Sequence, residues 1–250
     1  MGTEASIRFK ARIAGFFYFL LFPLGALSLL ARRGLVVKGD AAATAAGLLS
    51  HETSFRLGVA GDLLAIVSYV VVTALFYELF KPVNRSVALI AAFFSLVGCG
   101  IQAFACAFQL APFVALGGES YLSAFKPDQL QALAYMSLKL YSPAYKIGLI
   151  FFGLYNLLNG YLILKSTFLP RFLGVFMVIA GLPWLVFLLP LGNKLSPFAV
   201  APASLGEGLL LVWLLAKGVD AQKWTQQAVE AASPLLPPLP AGEGRGEGRP

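Results

Sequence analysis

The feature that most constrains this chain is a series of six apolar runs separated by short polar breaks, at about 13–31, 55–80, 87–114, 144–164, 172–190 and 198–216. A spanning helix needs roughly 20 apolar residues, because the hydrocarbon core is about 30 Å thick and a helix rises about 1.5 Å per residue. In lipid every backbone N–H and C=O must find its partner inside the segment, which makes such runs helical. The composition supplies them: of 250 residues, 58% are hydrophobic and 12% charged, about half the roughly 25% charge of a soluble domain. A soluble domain and intrinsic disorder are therefore excluded. The expected fold is all-α, a polytopic membrane helix bundle with about six transmembrane helices plus short interfacial helices, and its expected partner is the lipid bilayer.

The breaks carry their own signals. Basic Arg8, Lys10 and Arg12 precede the first run and Arg32 and Arg33 follow it. At about 19 residues it exceeds a signal-peptide core, and arginines stand where small cleavage-site residues belong, so it reads as a retained helix containing Pro23. Residues 40–53 are alanine-rich behind Asp40, a natural N-cap, and too short to span. KPVNRS and STFLPR read as tight turns, and Pro127 sits at a favoured first helical position. The amphipathic start at 127 is expected to run through Pro143 into the fourth span.

Sparse residue types exclude several chemistries. The lone histidine, His51, opens HETSF, half of an HExxH pattern without the second ligand, so no zinc, haem or di-iron site and no other cofactor is expected. Cys99 and Cys106 are seven apart, about 10.5 Å along one helix, beyond disulfide reach. The net charge of +7 comes from basic residues standing singly or in pairs at span ends, the pattern of membrane anchors rather than of nucleic-acid binding.

Six spans put both termini on one side. That side carries Arg8, Lys10, Arg12, Lys81, Arg85, Lys165, Arg171, Lys217 and Lys223, nine in all, against six on the other, Arg32, Arg33, Lys38, Arg56, Lys126 and Lys194. The majority places both termini in the cytoplasm. Residues 221–250 are assigned to a proline- and glycine-rich disordered tail, whose GEGRGEG lacks the strand and helix of a phosphate loop.

Polar residues inside the spans are the candidates for function. In the third span Ser95, Cys99, Gln102, Cys106 and Gln109 share one face with Ala88 and Ala92, either a polar lining or a helix-packing seam. In the fourth, Lys139, Lys146, Gly153 and Gly160 recur every seven residues, with Ser142 and Asn156 on the same side. Asp62 follows Gly58 and Gly61, and Glu207 stands between Gly206 and Gly208. Asp62, Gln102, Lys146, Asn156 and Glu207 form the candidate intramembrane polar cluster, with Asp62 and Lys146 as a possible ion pair. Its role is either functional or a lock on helix register.

Six blocks, among them RIAGFFYFLLFPLGALSLL, FRLGVAGDLL, LFKPVNRSVALIAAFFSLV and GEGLLLVWLLAKGVD, resemble the domain-of-unknown-function family 4386 over about residues 7–220. The resemblance implies a six-helix bacterial inner-membrane protein and supplies no catalytic residues. Ser95 departs from it, since the family block has arginine there, so an acidic partner of that arginine must pair elsewhere in this chain. Three readings stay open: a non-enzymatic transporter or sensor using the polar cluster, a structural or accessory subunit, and a membrane-embedded enzyme using Asp62 and Glu207. No nucleophile motif such as GxSxG supports the last.

Overall fold

A computed structural model describes residues 2–189 and 192–233, with side chains described at 5–189 and 201–233. The helices are α1 (Gly2–Ala31), α2 (Ala41–Ser50), α3 (Glu52–Phe80), α4 (Arg85–Ala115), α5 (Pro127–Lys165), α6 (Arg171–Gly181), α7 (Gly192–Ala216) and α8 (Ala221–Ala232). No strand occurs among the described residues. Five helical segments are long and apolar enough to cross a bilayer, and α7 followed by the sharply bent α8 makes a sixth candidate. The chain is thus a multi-pass helix bundle.

Local chemistry sets the boundaries. The Asp40 carboxylate accepts from Ala43 N at 2.8 Å to start α2, and Asn84 accepts from Val87 N at 3.0 Å to start α4 after the Lys81–Pro82–Val83 turn. His51 caps the junction between α2 and α3 and is exposed. At Pro127 the α5 helix opens and runs unbroken through Pro143 for 39 residues, about 58 Å at 1.5 Å per residue. That exceeds a bilayer core, so the fourth span extends well before 144, over α2. Gly39 N donates to the Tyr135 hydroxyl at 2.8 Å where they meet. After Gly181 the fifth span continues as a 3-10 helix, Leu182–Leu188, because Pro183 lacks the N–H an α-helix needs. Its sequence boundary at 190 lies outside the described residues.

The spanning helices close a ring in the order α1, α3, α4, α5, α6, α7 and back to α1. Tyr18, Phe76, Phe80, Tyr155, Leu162, Met177, Leu210 and Leu214 fill its interior toward the end that holds the amino terminus. Large apolar side chains also cover the outside, among them Leu29 at 71% exposed and Phe104 at 66%. A surface like this is stable only against lipid or a partner.

One boundary is corrected. Residues 221–232, assigned to the tail, form α8, which turns by 104° from α7. Asp220 caps it by accepting from Lys223 N at 3.2 Å, and Trp224 Nε1 donates to Leu79 O at 2.8 Å. The proline- and glycine-rich pattern begins only beyond this helix, so composition averaged over 221–250 hid it. The rest of that tail, 234–250, lies outside the described residues.

Candidate functional site

The polar stripe of α4 faces the ring interior as its spacing demands: Ser95, Cys99, Gln102, Cys106 and Gln109 are all buried. Ser95 shares a 2.6 Å hydrogen bond with Thr73 of α3, and Gln102 packs over Gly148 of α5. The stripe is therefore both seam and lining. Part of it is sealed against α3 and α5, and Gln102 and Cys106 border open space.

That space is a partly open cavity of about 220 Å3 bordered by α1, α3, α4, α5, α7 and the 3-10 segment. Asp62, Gln102 and Glu207 reach it, and Tyr69, Tyr141, Tyr145, Phe152 and Trp184 supply aromatic walls. Glu207 lies nine residues before the end of α7 at Ala216, about 14 Å along the helix. Asn156 stands behind it and donates Nδ2–H to Glu207 Oε1 at 2.6 Å. The Tyr18 and Tyr155 hydroxyls and Asn156 Oδ1 are buried with no partner in hydrogen-bonding geometry. Polar groups without partners are rare in a packed interior.

Asp62 has a different setting. Its Oδ2 accepts from Arg32 Nη1 at 2.8 Å and from Gln109 Nε2 at 3.1 Å. Its Oδ1 lies 2.5 Å from Ser28 Oγ and 3.3 Å from Arg32 Nη2. Arg32 also bonds Gln109 Oε1 and Ser28, and its guanidinium sits 5.8 Å from the centre of the Tyr141 ring. Side-chain exposure is 20% for Arg32 and 18% for Asp62, so the pair is largely withdrawn from solvent. The α1–α3 approach that permits it runs through Gly61, where a Cβ would stand 3.3 Å from Leu24 O.

Of the five sequence candidates, the structure gathers Asp62, Gln102 and Glu207 on one cavity with Asn156 directly behind. Lys146 does not pair with Asp62; its ammonium stands 5.8 Å from the centre of the Phe187 ring. Asp62 is paired instead with Arg32, and Ser95 meets Thr73. Arg32 had read as a membrane anchor because it sits at the end of an apolar run, and sequence carries no sign that its side chain turns inward.

Residues 13–218 match the family model described as a domain of unknown function (DUF4386). The chain belongs to this family. It is also 29% identical over 163 residues to an uncharacterised protein of Archaeoglobus fulgidus, an alignment covering 64% of this chain and 83% of the relative. No solved structure matches. The DUF4386 region contains the whole cavity and the Asp62–Arg32 network, and it stops just before α8.

Proposed function

We propose that this DUF4386 protein is a non-enzymatic membrane protein that binds a small organic cation, such as a protonated amine, for transport or sensing. The observation that carries the reading is the combination of Glu207 with aromatic walls in one intramembrane cavity. Asp62 is neutralised by Arg32, whereas Glu207 makes no ion pair among the described residues and accepts a hydrogen bond from Asn156. A carboxylate this deep needs either a counter-charge or a proton. Tyr69, Tyr145 and Trp184 are among the residues lining the cavity, and aromatic rings attract a cation by their quadrupoles. The cavity is smaller than the roughly 300–1,000 Å3 of drug-sized sites, which favours a small solute.

An acid pair for hydrolysis is disfavoured by the same geometry, since both Asp62 oxygens are already engaged. A structural reading does fit one half of the cluster: the Asp62–Arg32–Gln109 network ties α1, α3 and α4 together.

Melting of the detergent-purified protein with methylammonium, tetramethylammonium or acetate tests the proposal. Either cation is expected to raise the Tm in a dose-dependent way, acetate to leave it unchanged, and Glu207→Gln to abolish the shift. A chain that no cation stabilises, or a Glu207→Gln variant with the wild-type shift, overturns it.

A further inference from the structure

The end of the bundle that holds the amino terminus carries a second feature, independent of the cavity. There α8 leaves α7 at 104° and lies across the base of the ring. It is strapped down by Trp224 to Leu79 O, by Gln227 accepting from Thr167 N at 3.1 Å, and by Asp220 N donating to Phe168 O at 3.2 Å. Between α8, the start of α1 and the α5–α6 turn opens a cleft of about 570 Å3 bordered by Arg8, Arg12, Lys217 and Lys223. Asp220 is the one acid on its walls, 3.6 Å from the Lys223 ammonium. An adjoining cleft shares Thr167 and Lys223 and adds Lys165 and Arg171. Among the described residues none of Arg8, Arg12, Lys165, Arg171 or Lys217 forms an ion pair with a carboxylate, and all five are exposed.

We infer that this cleft binds the phosphate of an anionic phospholipid headgroup, with the acyl chains lying along α1 and α7. Its cations stand where the apolar spans end, which is the level of lipid phosphates. Trp213, with the Lys217 ammonium 4.6 Å from its ring centre, marks the same interface. Further into the spans than Arg12 and Lys217, Phe16 of α1 is 51% exposed and Val212 of α7 60%, an apolar flank suited to lipid tails rather than to a soluble phosphate. Phosphate oxygens are met well by several converging guanidinium and ammonium donors.

The test is native mass spectrometry of the full chain taken from bilayers of equal phosphatidylglycerol and phosphatidylcholine. Preferential retention of phosphatidylglycerol is expected, and retention falling on the order of tenfold or more in the triple variant Arg12→Gln, Lys217→Gln, Lys223→Gln. The charge-keeping variant Arg12→Lys, Lys217→Arg, Lys223→Arg and the opposite-face variant Arg33→Gln, Lys38→Gln are expected to retain it. Equal retention of the two lipids by the wild-type protein, a measurement that needs no variant, overturns the inference. So does retention unaltered by the triple variant, or displacement of the lipid by millimolar inorganic phosphate, which would mark a soluble-anion site.

Discussion

At the scale of single residues, the two intramembrane acids divide their work by the company they keep. Asp62 is held by Arg32, Ser28 and Gln109, and removing one partner strands a charge in a poorly solvated place. Arg32→Gln is expected to destabilise the detergent-purified protein by about 3 kcal/mol, the lower end for a buried pair because each side chain keeps about a fifth of its exposure. Adding Asp62→Asn should recover most of that loss, and a thermal melt of the single and double variants reads it. Lys146→Gln with Asp62→Asn should show no such recovery, since Lys146 faces the Phe187 ring instead. A single-variant loss that the second substitution does not relieve would show that the two side chains act separately. The sequence made Asp62 conspicuous as an acid after two glycines, but not its partner. That partner is 30 positions away and reaches it only because Gly58 and Gly61 let α1 and α3 close up.

Whole elements were far more legible. The long apolar runs are helical, the fifth as α6 with its 3-10 continuation, and Asp40, Asn84 and Pro127 open α2, α4 and α5 as their cap chemistry requires. The seven-residue spacing of Gly153 and Gly160 is explained by α6: Cβ atoms there would stand 2.9 Å from Gly181 O and Gly174 O, respectively. Such small-residue seams let membrane helices approach closely. The two glycines beside Glu207 look equivalent in sequence and are not equivalent in space. A Cβ on Gly206 would overlap Phe176 O, whereas Gly208 has nothing within 4 Å. Gly206→Ala is therefore expected to cost about 1–3 kcal/mol through overpacking of α7 against α6. Gly208→Ala should be neutral or slightly stabilising, because alanine limits the unfolded chain and favours helix. Parallel melting curves decide it, and equal losses at both sites would contradict the α6–α7 packing. What stayed hidden at this scale was α8, whose moderate polarity gave no span signal and whose amphipathic face shows only against its partners Leu79 and Thr167.

For the whole molecule, the remaining question is which way the bundle lies. Packed against α1 and strapped beneath α3 and the α5–α6 turn, α8 lies at the end of the bundle that holds the amino terminus. The charge count by sequence was nine against six, a narrow margin. Removing Arg32, whose guanidinium turns inward to Asp62, leaves nine against five and strengthens the case for a cytoplasmic terminal end. The basic clefts beneath α8 lie at that same end, where anionic lipid would add to the bias. The cavity spans the middle of the bundle: Asp62 is ten residues from the start of α3 at the opposite end, and Glu207 is nine residues from the end of α7 at this one. Cys99 and Cys106 are buried, so an introduced thiol can be read against a low background. Lys38→Cys in the exposed α1–α2 link is expected to react with a membrane-impermeant maleimide in intact cells. Gln226→Cys on the exposed side of α8 should react only after lysis. The reverse pattern would invert the bundle. Labelling of both thiols in intact cells would put the two ends on the same face, which an even-span bundle with α8 at its terminal end does not allow.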